Sequence, residues 1–109
     1  SRVPATIGLI VQLHVKISVR AANEMHKAAT WWEENRPAAP GAISADVEAA
    51  LELLAAQPEI GNHYAGARTP GVRRLYLGRV GYFIYYRVLS DELRVLTFWH
   101  ASRGRQPKL

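Results

Sequence analysis

A chain of 109 residues that is 49% apolar and 21% charged has enough apolar side chains for one hydrophobic core, so it reads as a single folded domain over 1–109 and not as a disordered chain. The absence of cysteine excludes disulfides and thiolate metal sites, and the four histidines (His14, His26, His63, His100) lack ligand spacing, so no metal and no cofactor is expected. The net charge of +5 is lopsided: residues 1–59 carry five Lys/Arg against seven Asp/Glu, whereas residues 60–109 carry nine against only Asp91 and Glu92.

That asymmetry predicts a one-sided positive surface on which the arginines gather, suited to a phosphate backbone or an acidic protein. Solvation of a small domain is the plainer use of the same charge. The apolar run Ile7–Val11 is too short for a secretory signal and is followed by no small-residue cleavage site. No stretch approaches the roughly 20 apolar residues that span a bilayer. A cytoplasmic protein with no membrane partner is expected.

From Val11 to Val19 the chain alternates: Val11, Leu13, Val15, Ile17 and Val19 on one side, Gln12, His14, Lys16 and Ser18 on the other. That period of two predicts a strand with one buried face. From about Arg20 to Asn35 the period becomes helical, with Ala22, Met25, Ala29 and Trp32 on the apolar stripe and Glu24, Lys27, Glu33 and Glu34 facing elsewhere. Ser18 is placed to cap the helix and Pro37 ends it. Trp31 and Trp32 lie about 100° apart on the helix, so one is expected in the core and one at its rim.

After the connector Pro37–Gly41, Ala42 to Ala56 predicts a second helix with the stripe Ile43, Val47, Ala50, Leu51 and Leu54. Residues 57–71 are dense in breakers and read as a loop. Three strands follow, Val72–Leu77, Tyr82–Leu89 and Leu93–His100, joined by turns at 78–81 and 90–92, and then a polar tail, 101–109. The fold class is therefore α+β: strand–helix–helix–strand–strand–strand, a mostly antiparallel sheet packed against a helical hairpin. The aromatic run Tyr82–Tyr86 reads as a buried central strand in preference to a base-stacking platform. In the last strand Arg94, Leu96, Phe98 and His100 are expected on one face and Leu93, Val95, Thr97 and Trp99 on the other.

This order of elements, with Val15–Ala22 opening the first helix and Ala29–Glu33 within it, Leu51–Leu54, Gln57–Gly61, Val72–Leu77, Tyr82–Val88, and Val95–Arg103 with Pro107, resembles the RelE/ParE toxins over about residues 13–107. Residues 1–12 fall outside the resemblance and are either an edge strand or an arm. The resemblance implies a cytoplasmic toxin of a type II toxin–antitoxin system (the plasmid-stabilisation type), held inactive by a cognate antitoxin in a hetero-oligomer. It implies two target classes: DNA gyrase, inhibited by ParE-like members, and ribosome-bound mRNA, cut by RelE-like ones.

For RNA cleavage without a metal, the candidates are Arg74 as phosphate clamp, His100 as acid or base and Arg103 as charge stabiliser. Arg73, Arg79, Arg87 and Arg105 are candidates for contacting a nucleic acid or target protein. Trp31, Trp32 and Leu51 are candidates for binding the antitoxin, since Trp is a frequent interface anchor. No lysine occurs between Lys27 and Lys108, and Glu48 and Glu52 look solvent-facing, which leaves a nuclease poorly supplied. The ending Trp99–Pro107 is also more similar to ParE-type sequences. The favoured reading is a gyrase inhibitor that is not an enzyme. An mRNA endoribonuclease and a non-toxic nucleic-acid-binding module are the alternatives.

Overall fold

The computed structural model describes residues 12–109. The elements are β1 (His14–Ile17), α1 (Val19–Asn35), α2 (Ala42–Ala56), β2 (Asn62–His63), β3 (Arg73–Leu77), β4 (Tyr82–Leu89) and β5 (Glu92–His100). The strands form one sheet in the order β1-β5-β4-β3-β2, with β1 parallel to β5 and every other pair antiparallel. Both helices match their expected spans closely, as does the β3–β4–β5 meander. The proposed arm or strand over residues 1–12, Gln12 excepted, lies outside the described residues.

Ser18 joins strand to helix. Its Oγ accepts from the Ala21 N–H and donates to the Leu96 carbonyl, both at 3.0 Å, while its own N–H donates to the Val95 carbonyl. One hydroxyl thus caps α1 and fixes its start against β5. Pro37 then stops the helix, and the Arg36 N–H closes its last turn on the Trp32 carbonyl.

Two clusters of apolar side chains lie on opposite faces of the sheet. On the helix side, Ala21 and Ala28 of α1 and Ile43, Val47, Ala50 and Leu54 of α2 pack on Leu77, Ile84, Tyr86, Leu93, Val95 and Phe98. On the other side Val72, Tyr85 and Trp99 are covered by Tyr64 and Ala67 of the 64–71 segment and by Leu109. A sheet with both faces covered explains why Ile84, Tyr85 and Tyr86 are all fully buried in succession. The stacking-platform reading of that run fails for this reason.

Five details depart from expectation. The first strand is four residues long, and Val19 already belongs to α1. It is an edge strand, so Val15 and Ile17, expected inward, remain about 40% and 39% exposed. The loop after α2 contains β2, whose two residues pair with Arg73 and Arg74; Asn62–His63 carries no apolar pattern, so main-chain pairing alone makes it. The stripe on α1 is turned: Ala22 is exposed, and Glu24 points at β5.

The fifth is a bulge. Tyr85 pairs with Thr97 but Tyr86 with Val95, leaving Leu96 over. Strict alternation along β5 breaks there. Leu93 and Val95 before the bulge, and Phe98 and His100 after it, all lie on the helix side.

Candidate target-binding site

At the end of β5, His100 meets Tyr82 edge-on, ring centroids 4.8 Å apart, and Tyr82 stacks flat on Phe98 at 4.4 Å. The Nδ1 of His100 is 2.6 Å from the Ser102 Oγ and accepts from the Ser102 N–H, so the turn after the strand fixes the ring. Tyr82, Phe98 and His100, with Glu24, Lys27, Ala28, Trp31 and Arg103, line an open pocket of about 240 Å³. Burial holds the Tyr82 hydroxyl above its usual pKa, with the Arg103 charge opposing. Tyr82 is therefore a neutral phenol here at physiological pH.

Arg103 lies with its guanidinium 3.6 Å from the Trp99 ring centroid, and Arg20 approaches the same ring at 5.8 Å. Trp99 is on the face away from the helices. Arg103 sits at the sheet margin and lines the pocket of His100 as well as a larger cleft, about 580 Å³, with Arg20, Glu24, Trp99, Arg105, Gln106 and Lys108.

Arg74 is elsewhere. It pairs with Tyr85 across the strands, donates to the Tyr85 hydroxyl (3.0 Å) and to the Gln106 Oε1 (3.4 Å), and lies 4.4 Å from the Phe83 ring centroid and 5.3 Å from that of Tyr64. It is wedged among aromatics on the face opposite His100. The structure brings His100 and Arg103 together and leaves Arg74 apart.

The remaining arginines do not share a surface either, contrary to the sequence expectation. Arg73 donates to the Gly61 carbonyl (2.8 Å) and the Glu59 carbonyl (3.3 Å), tying down the 59–61 loop. Arg79 makes a two-pronged ion pair with Asp46 of α2, at 2.8 and 3.1 Å. Arg87 has a buried Nε without a hydrogen-bond partner among the described residues. Only Arg105 opens into the cleft beside Arg103. Local folding needs take most of the basic half, which explains the scatter.

The three residues expected at an antitoxin surface separate as well. Trp32 packs on the helix-side core, while Trp31 is 46% exposed; Arg36 lies over both rings at 5.4 and 5.9 Å. Leu51 instead lines a groove of about 350 Å³ between the helices, with Met25, His26, Ala29, Ile43 and Val47. One Trp inside and one at the rim is the expected pairing; a single patch with Leu51 is not what forms.

Sequence reasoning missed the tail and Glu24. Residues 101–109 do not trail away. Trp99 Nε1 donates to the Arg105 carbonyl, Arg20 to the Lys108 carbonyl, and Thr69 to the main-chain oxygen of Leu109, with Pro107 buried between. This strap closes the second core and brings Lys108 beside Arg20. Pro107 and Leu109 are the apolar hints of it in a mostly polar run.

Among the described residues, no three His, Asp or Glu side chains gather as metal ligands, and no helix is long and apolar enough to cross a membrane. What the fold defines is a small basic α+β domain, with a helix-pair groove on one side and a cationic cleft at the strap. Its structure is similar to that of a chain described as "Chromosomal ParDE TA system from P. aeruginosa", with a TM-score of 0.69 and 20% identity, covering 84% of this chain and 98% of that one. The profile of the family described as "ParE toxin of type II toxin-antitoxin system, parDE" matches residues 15–105, so the chain belongs to the ParE toxin family. No match was found among curated protein sequences.

Proposed function

We propose that this protein is the toxin of a type II toxin–antitoxin pair, acting in the cytoplasm as an inhibitor of DNA gyrase and not as a nuclease. The family match over residues 15–105 supports the toxin class. The observation that carries the choice of target is the separation of Arg74 from His100. A metal-free RNA-cleaving site needs its phosphate clamp and its acid–base group on one reacting phosphate. Here the sheet lies between them, and Arg74 is already bound to Tyr85 and Gln106. The cations that line the pocket of His100 are Lys27 and Arg103, and neither comes from β3.

The cognate antitoxin is proposed to lay an amphipathic helix along the α1–α2 groove, where Met25, Ala29, Val47 and Leu51 offer an apolar floor. Trp31 would then make a separate contact at the far end of α1.

Supercoiling by purified gyrase, measured with increasing toxin, is expected to fall, and to recover when the product of the adjacent gene is added. Unchanged supercoiling and unchanged gyrase-linked DNA cleavage would remove gyrase as the target. New mRNA ends on translating ribosomes, lost in a His100→Ala variant, would restore the nuclease reading. Unimpaired growth on induced expression would leave a non-toxic nucleic-acid-binding module as the reading.

A further inference from the structure

We propose that the cleft between the first turns of α1 and the strap is a binding site for the phosphodiester backbone of duplex DNA. The assignment goes beyond the inhibition of gyrase and does not depend on it.

Four cations line this cleft: Arg20, Arg103, Arg105 and Lys108. Its single carboxylate, Glu24, is occupied. One oxygen accepts from the Thr97 hydroxyl at 2.6 Å and the Phe98 N–H at 3.0 Å, and the other is 3.5 Å from Arg20 Nε. Among the described residues, Arg103, Arg105 and Lys108 have no carboxylate within ion-pair distance. Arg79 and Arg94, by contrast, each have a carboxylate partner, Asp46 and Glu92. A concentration of unpaired like charge in one concavity is costly unless an anion comes to it.

The geometry favours phosphate. The Arg103 guanidinium carbon lies 3.6 Å from the Trp99 ring centroid, so the group is restrained by the ring before any ligand arrives. Preordering lowers the entropy lost on forming a bidentate contact, and the planar fork matches phosphate oxygens. The only aromatic ring of the cleft is Trp99, itself only 7% exposed beneath these arginines. No ring face is available for an unstacked base, which disfavours a single strand and suits a duplex gripped by its backbone.

Fluorescence anisotropy of a labelled 20-base-pair duplex, titrated with the intact chain at several salt concentrations, tests this. Four phosphate contacts give a slope of log K against log salt of about −3.6. An Arg103→Ala, Arg105→Ala double variant is expected to bind at least tenfold more weakly, with the slope reduced to about −1.8. A Lys16→Ala, Arg36→Ala pair, removing the same charge outside the cleft, is expected to match the parent. Should baring Trp99 unfold the first pair, Arg105→Glu with Lys108→Glu, both exposed and without side-chain hydrogen bonds, is expected to lose more than tenfold.

Equal weakening by the cleft pair and the control pair would overturn the proposal, as would no binding at 50 mM salt. Tighter binding of single-stranded DNA, or displacement of the duplex by poly-glutamate at lower total charge than by unlabelled DNA, would also overturn it. A toxin that inhibits gyrase but fails these tests keeps the proposed function and loses the site. One that binds DNA but spares gyrase keeps the site and loses that target.

Discussion

Glu24→Ala isolates the contact that fastens α1 to the open margin of β5. Among the described residues no strand pairs with β5 beyond Val95 on the β1 side, because β1 ends at Ile17 and the chain turns into the helix. The Phe98 N–H and the fully buried Thr97 hydroxyl would have no partner there, and Glu24 accepts from both. Alanine orphans two donors at once. Each costs about 1–3 kcal/mol when desolvated, and the Glu24 side chain is 23% exposed, so water replaces part of the loss. A net of about 3 kcal/mol follows, a depression of Tm on the order of 12 °C for a domain of this size. Glu24→Gln retains an acceptor oxygen and is expected to lose about 1 kcal/mol. Circular-dichroism melts of the two variants beside the parent measure both. A Glu24→Ala protein within 0.5 kcal/mol of the parent, or a glutamine variant no better than alanine, would refute the account.

Four further outcomes are expected. Gly61→Ala drives a methyl group into the hydroxyl and ring of Tyr86, whose hydroxyl accepts from the Gly61 N–H at 3.0 Å; urea unfolding should show a loss of about 2–3 kcal/mol. Tyr86→Phe removes a hydroxyl that donates to the Pro58 carbonyl at 2.7 Å and accepts from Gly61, costing about 1–2 kcal/mol in the same assay. Burial raises the pKa of Tyr86 and Tyr82, so the folded state keeps their protons longer than the unfolded state does. Their stabilising share is complete below about pH 10 and falls as pH rises through the elevated values, and Tyr86→Phe should flatten that alkaline decline. Arg79→Ala, by contrast, breaks an ion pair whose arginine side chain is 61% exposed and should cost under about 1 kcal/mol in a thermal melt.

Elements governed by local pattern were readable along the chain. Ser18 before α1 and Pro37 after it mark the helix, because capping and the missing proline N–H act within one turn. The stripe Ile43, Val47, Ala50 and Leu54 is the buried face of α2. Elements decided by neighbours distant in sequence were not. Nothing around Leu96 announces a bulge, yet it decides which side of the sheet His100 occupies. Glu24 looks like any helix acid until β5 supplies two donors. The same holds for the basic half: as letters, Arg73, Arg74, Arg79 and Arg105 are alike. Nearby carbonyls, aromatic rings and Asp46 occupy the first three, and only Arg105 remains in the cleft. Charge composition foretold a cationic region but not its members, for Arg20 and Lys108 come from opposite ends of the described chain.

The parallel pairing of β1 with β5 also joins parts of the chain far apart in sequence. Ser18 bonds to Leu96, 78 positions away, whereas the β3–β4–β5 meander closes through turns of a few residues. Short loops lose little entropy on closing, so the meander is local in the chain, whereas seating the helical hairpin on it takes contacts across most of the sequence. Burial of Leu93, Val95 and Phe98 under the helices thus rests on joins that bridge most of the chain length.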